Sequence, residues 1–367
     1  MSAAPTRLLA AVLAVPLLAG ALGACGYGSQ AKKQERPKVA ARGARTDGLS
    51  AVRIGYFANV THATPLVGQY EGLFQKELGG TKVKPYVFNA GPSEIEALNA
   101  GTIDIGWLGP SPAVNGYTQA GGRNLRIIGG SASGGVSLVV DPKKIHSLKD
   151  LKGKRIATPQ LGNTQDVALL NYLSEKGWKV DAQTGKGEVS VLRQDNKEIP
   201  ATFQQGGVDG AWVPEPTASK LVAEGGKRLL NEKDLWKDGR FVITNIVVRQ
   251  QFLKEHPKVV EAVLRGSVAT NAFIRSHPDQ AKKALNSQLQ QDGGSALPQN
   301  VLDPAFAAVD VSDDPYAATL REEAQHAVKA GLLKKPKLSG IYDLTLLNRV
   351  LRSEGRPTVD DAGLGVK

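Results

Sequence analysis

Cysteine is nearly absent from this chain of 367 residues: Cys25 is the only one. No intramolecular disulfide can form, and no cysteine-based zinc or iron–sulfur site can be built. Histidine is scarce as well, with five in all; His146, His256, His277 and His326 are dispersed, so no metal cluster and no cofactor is expected. Aromatic residues reach 5% and do not interleave with basic ones, which argues against a nucleic-acid surface. The motifs G-x-x-x-x-G-K-[ST], G-x-G-x-x-G, H-E-x-x-H and G-x-S-x-G do not occur, so phosphate-loop, dinucleotide, zinc-protease and serine-hydrolase chemistries lack their signatures. The reading is a binding protein, not an enzyme. No apolar run reaches the ~20 residues of a membrane-spanning helix. What is present is an ordinary globular composition, 41% hydrophobic and 22% charged, long enough for about two domains.

The first 24 residues carry one charge, Arg7, followed by an apolar run from Leu8 to Leu22. This is the pattern of a secretory signal peptide. It closes on Leu22-Gly23-Ala24-Cys25, which resembles the bacterial lipobox, where cleavage precedes the cysteine and the cysteine is acylated. The expectation is a lipoprotein held at the cell membrane by lipidated Cys25 and facing the extracytoplasmic side. Residues 25–50 read as a flexible tether, in which Lys32, Lys33, Arg36, Lys38, Arg42 and Arg45 stand against Glu35 and Asp47, a net of +4. Such a tether either lies against an anionic membrane or serves as a soluble spacer. Residues 51–367 hold 39 basic and 33 acidic residues, so only +6 of the formal +11 belongs to them.

From Ser50 onward, short strand-like runs alternate with helical ones. The runs are 52–56, 83–88, 103–107, 125–128, 155–157, 189–192, 210–213 and 242–248. Helical stretches at 93–100 and 165–176 stop at Gly101 and Gly177. This alternation predicts an α/β fold on mixed, mostly parallel sheets, giving way to helices after residue 250. One segment repeats: residues 98–108 align on 203–213 at an offset of 105, and proline-bearing turns follow both. Each copy reads as helix, glycine stop, strand and loop. Two such units predict two similar lobes whose strand ends face one cleft.

The loops at those strand ends supply the candidate ligand contacts. They are Phe57, Asn59, Thr61 and His62; Gly91, Pro92 and Ser93; Gly109 and Ser111; Ser131, Ser133 and Gly134; and Gly162, Asn163, Thr164, Gln165 and Asp166. Ser, Thr, Asn and Gly cap helices and leave backbone N–H groups able to hold an anion; plain capping accounts for any single loop equally well. Trp212, Pro214 and Glu215 complete the set. Trp212 and Trp107 can wall a ligand or sit in a core. Asp166 and Glu215 can pair a ligand ammonium, or Asp166 can serve its own helix N-terminus.

Several segments together resemble ABC-importer solute-binding proteins of the aliphatic sulfonate, taurine and nitrate group. They are Val52-Arg53-Ile54-Gly55-Tyr56-Phe57, Gly91-Pro92-Ser93, the stretch from Ser147 to Pro159, and Gly206-Gly207-Val208-Asp209-Gly210-Ala211. The likeness covers roughly residues 51–350, and the block from Gln160 to Leu169 with Val213-Pro214-Glu215-Pro216 looks like the actinobacterial type. It implies a two-lobed periplasmic-binding-protein fold (type II): lobe one at 51–138 plus 246–350, lobe two at 139–245, and a C-terminal tail at 351–367. It further implies a monomer that captures an aliphatic sulfonate and delivers it to permease subunits served by a cytoplasmic ATPase. Oxyanion contacts would fall around Asn59, Ser93, Ser133 and Asn163-Thr164-Gln165. The acids Asp166 and Glu215 would favour a zwitterion such as taurine. Alternatives on the same fold are a nitrate, bicarbonate or pyrimidine-precursor binder and, remotely, a pyrimidine-synthesis-type enzyme.

Overall fold

The structure, a computed structural model, describes residues 48–367. The signal-peptide segment, Cys25 and nearly all of the tether lie outside the described residues. The strands are β1 (Ala51–Phe57), β2 (Lys82–Phe88), β3 (Ile105–Leu108), β4 (Leu125–Gly134), β5 (Val136–Val140), β6 (Arg155–Thr158), β7 (Ser190–Arg193), β8 (Gly210–Pro214), β9 (Lys227–Asn231), β10 (Val242–Arg249) and β11 (Val309–Val311). They form two sheets, ordered β11-β4-β10-β3-β1-β2 and β7-β6-β8-β5-β9. All eight expected strand runs are strands, and β5, β9 and β11 add to them.

The sheets are α/β and mixed, but not mostly parallel. Parallel pairing is confined to β1 with β2 and β3, and to β6 with β7 and β8. β10 runs antiparallel to β3 and β4, β11 to β4, and β5 to β8 and β9. The cause is the route of the chain. A parallel neighbour needs a helical crossover, whereas β4 passes straight into β5, and so from the first sheet to the second. That passage turns on Gly134 and Gly135, with φ of +74° and +69°, where a side chain would be strained.

The repeated segment is a repeated structure. The helix Gly91–Asn99 ends at Gly101 (φ +70°) before β3, and the helix Ile199–Gln204 ends at Gly206 (φ +71°) before β8. Each copy delivers a buried aspartate to the first residue-pair of its parallel neighbour. Asp104 accepts hydrogen bonds from Arg53 N (3.0 Å), Nε (2.9 Å) and Nη2 (2.5 Å). Asp209 accepts the same three from Arg155, at 3.0, 3.1 and 2.9 Å. Bidentate arginine pairing of this kind fixes geometry as well as charge.

The core of the first sheet gathers Val52, Ile54, Tyr56, Trp107 and Val247 with the helices that follow residue 250, notably Pro257–Ser276. Trp107 is fully buried with its ring edge-on to Phe74, so it is a core residue. Apolar residues on both faces of β3 and β8 explain their unbroken burial.

Candidate functional site

The sequence-predicted loops sit at the ends of β1, β2, β4 and β6, but only some of them meet. Phe57, Asn59, Thr61 and His62 after β1 face Asn163, Thr164 and Gln165 after β6, and Gly109 and Pro214 close in after β3 and β8. Together with Asn196 and Ile243 they line a narrow cavity of ≈ 20 Å³, room for about one water molecule. The two sides touch directly. Val60 N–H donates to Glu215 O at 3.2 Å, and any side chain at Gly109 would collide with Thr164 Oγ1.

Local folding decides which polar atoms remain for a ligand. Asn163 caps the helix Thr164–Glu175 by accepting from Thr164 N–H at 2.6 Å. Asn59 Oδ1 accepts from Thr61 Oγ1 at 2.8 Å. His62 Nδ1 accepts from Phe57 N–H at 3.1 Å, so the ring proton resides on Nε2. The imidazole stacks on Phe57 with centroids 4.2 Å apart, and burial pushes its pKa down to about 3, leaving it neutral. Three acceptors are thus occupied within their own loops. The donors left over are the amide NH₂ groups of Asn59 and Asn163 and the Nε2–H of His62. First-turn N–H groups of Thr164–Glu175 add to them, since a helix start has no internal acceptor for these. Thr164 Oγ1 is buried without a hydrogen-bond partner. No Asp, Glu, Lys or Arg lines the cavity. Chemically, such an arrangement of neutral dipoles suits an oxyanion.

The remaining predicted residues are elsewhere. Asp166 is fully buried and its carboxylate is filled: Oδ1 accepts from Arg193 Nε and Thr158 Oγ1 (2.8 Å each), and Oδ2 from Gly162 N (3.0 Å) and Arg193 Nη2 (3.3 Å). Glu215 is also fully buried, with Oε1 accepting from Arg228 Nη2 and Oε2 from Ser219 N, both at 2.9 Å. Its amide donates to Gly135 O at 2.8 Å. Neither acid lines the cavity, and both carboxylates, expected to meet a ligand ammonium, are engaged by arginine and backbone donors instead. Trp212 is a core residue: its ring lies under Tyr172 and its Nε1 donates to Glu232 at 2.6 Å. Gly91, Pro92 and Ser93 start a helix packed on Pro112, and Ser93 Oγ closes its own turn on Ala90 O at 2.8 Å. Ser131, Ser133 and Gly134 belong to β4 at the crossover, where Ser133 Oγ accepts from Phe241 N. Ser111 is buried in the first turn of Pro110–Gln119, its Oγ unpartnered. None of these seven lines the cavity.

Two lining residues were missed. Asn196 lies in the polar loop after β7, the counterpart of the loop after β2, and the repeat could have exposed it. Ile243 is one apolar residue in an apolar strand and carried no signal.

The NMT1-like family model matches residues 46–288. A taurine-binding periplasmic protein of Escherichia coli is 32% identical over 220 residues, 60% of this chain and 66% of that protein, just under two thirds of its length. Among solved structures, the alkanesulfonate-binding protein SsuA of Xanthomonas axonopodis pv. citri bound to MOPS superposes with a TM-score of 0.64 at 24% identity, over 78% of this chain and 95% of that one. The periplasmic nitrate-binding protein NrtA of Synechocystis PCC 6803 has the same TM-score at 15% identity, over 78% and 83%. The two structural likenesses show a shared periplasmic-binding-protein fold.

Proposed function

The chain belongs to the NMT1-like family, and from that premise we propose that it is the solute-binding component of an ABC importer, capturing aliphatic sulfonates outside the cytoplasm and presenting them to a permease. The observation that carries this reading is the donor-lined, uncharged cavity between the loops after β1 and β6. A sulfonate is a fully deprotonated monoanion whose three oxygens only accept, so it matches the donors that Asn59, Asn163 and His62 leave over once their acceptors are occupied within their own loops. Binding and delivery without chemistry agree with the lack of a catalytic constellation in the sequence. In this proposal lobe one comprises 51–138 and 246–350, lobe two 139–245, with 351–367 as a tail. Ligand draws the lobes together across the Val60–Glu215 contact. Cys25 carries the lipid that keeps a monomer at the membrane beside the permease.

A thermal-shift panel on the chain carrying Cys25→Ser tests the reading. Short alkanesulfonates at ~100-fold their Kd should add about 2.7 kcal/mol to folded stability, a rise of several degrees in Tm. A shift with nitrate, bicarbonate or a thiamine pyrimidine and none with sulfonates overturns it.

A further inference from the structure

The sulfonate reading leaves the other end of the ligand open, and the wall of the cavity addresses it. We infer that this cleft selects sulfonates whose tail carries no charge, with Arg193 and Arg228 acting as positioning residues that keep the two nearby acids away from the ligand; the inference rests on the sulfonate reading above. Asp166 and Glu215 directly adjoin cavity residues in sequence, Gln165 and Pro214, and would be the natural partners of a ligand ammonium. Each is instead folded into its own lobe. Asp166 takes four hydrogen bonds, two of them from Arg193. Glu215 takes one from Arg228 and one from Ser219 N in the helix that follows it. Both carboxylates are completely excluded from solvent, so neither can turn to the cavity without abandoning its arginine, which is itself only partly exposed, and that costs more than a weak ligand contact returns.

The oxygens that remain to a tail are neutral. Asn196 Oδ1 lines the cavity side of lobe two, buried and without a hydrogen-bond partner, and Thr164 Oγ1 is in the same state. Phe57, Pro214 and Ile243 complete the wall with apolar surface. One neutral amide oxygen satisfies a hydroxyl. It does not replace the hydration of an ammonium, because a desolvated cation needs a counter-charge as well as a hydrogen bond. The chemistry of the wall therefore suits ethanesulfonate and 2-hydroxyethanesulfonate, with Asn196 receiving the hydroxyl of the latter, and does not suit 2-aminoethanesulfonate (taurine).

Calorimetric titration of the chain carrying Cys25→Ser with these three compounds at pH 7 decides the matter. Taurine should bind at least ~10-fold more weakly than 2-hydroxyethanesulfonate, a gap of about 1.4 kcal/mol. Taurine binding as tightly or more tightly overturns the inference and leaves the sulfonate reading standing; binding of none of the three overturns that reading and the inference with it. Repeating the titration at a pH where the taurine amine is neutral should close the gap, and a gap that persists rules out charge as its cause. Asn196→Asp places a carboxylate in the wall, and should raise the taurine to 2-hydroxyethanesulfonate affinity ratio at least ~10-fold. An unmoved ratio in a variant that still melts cooperatively overturns the role of Asn196. If that variant does not fold, the wild-type comparison at the two pH values still decides the inference.

Discussion

The two sheets of this molecule are built on one plan and finished differently. Read from one edge, β2-β1-β3-β10-β4 and β7-β6-β8-β5-β9 have the same order of parallel and antiparallel neighbours, and each is pinned by an aspartate on an arginine near the start of its central parallel strand. The second cation differs: Arg249 joins Asp104 at 3.3 Å, whereas Lys144 joins Asp209 at 2.8 Å. The interior acids differ more. Around the second sheet, Asp166 and Glu215 are each paired with an arginine. Under the first, Glu94 is buried with no cation beside it, its carboxyl wedged where side chains at Gly55 or Gly106 would be. Burial pushes its pKa well above the usual carboxylate range, so it is held as a neutral acid. The frame is common to both halves, while these three acids are settled differently: Asp166 and Glu215 by pairing with arginine, Glu94 by burial without a hydrogen-bond partner.

Replacing the pinning aspartates tests how equal the two frames are. Asp104→Ala leaves Arg53, Arg249 and a backbone N–H without their acceptor, and should cost about 3 kcal/mol. Asp209→Ala should cost about 2 kcal/mol, because its cations keep more of their water. Urea denaturation measures both, and an inverted order would break the parallel.

A steric probe separates the two glycine contacts. Gly109→Ala puts a methyl group against Thr164 across the cleft and should weaken ligand binding about 100-fold, equivalent to ~2.7 kcal/mol, with little change in Tm of the free protein. Gly91→Ala meets Pro112 on the same side of the cleft and should lower Tm instead. Binding loss in both, or in neither, would sink the distinction.

The smallest effect concerns pH. Because the Glu94 pKa is raised on folding, its protonated form stabilises the native state fully below the unfolded value of ~4.3, and that stability is lost as pH rises toward the folded pKa. Glu94→Gln removes the dependence and should be more favourable relative to the unsubstituted protein at pH 8 than at pH 4.5. Asp209 has the opposite sign. Burial opposes its ionisation, but hydrogen bonds from Arg155 and Lys144 outweigh that and hold its pKa far below the ordinary value. Its contribution is present at neutral pH and lost on acidification. Chemical denaturation at pH 8 and pH 4.5 checks the first sign, and denaturation at a pH well below the ordinary aspartate value of ~3.9 checks the second.

Much of this frame was legible in the sequence. Runs such as Val52–Tyr56 and Val242–Val248 carry β-branched and aromatic residues in strand-length blocks bounded by turns, and the glycine stops at 101 and 177 fell where expected. Strand direction was not legible, because it depends on where the chain goes after Gly135, a single turn with two positive φ angles. Of the site, the loops after β1 and β6 were readable from their Asn, Thr and His content. The fate of Asp166 and Glu215 was not. Arg193 and Arg228 reach them only because β7 lies beside β6 and β9 beside β5, a proximity that no local pattern encodes. The donor bias of the cleft was hidden for a similar reason: Asn and His are ambivalent residues until a neighbouring N–H claims their acceptors.

Glu215 joins three parts of the molecule through one peptide unit and one side chain. Its carbonyl meets Val60 on the opposite rim, its amide meets Gly135 in the crossover, and its carboxylate is anchored to Arg228. Parting the rims breaks the first of these bonds at a residue still tied to the point about which the chain turns. The mouth of the cleft is thus tied to the crossover by hydrogen bonds through a single residue rather than through a length of chain.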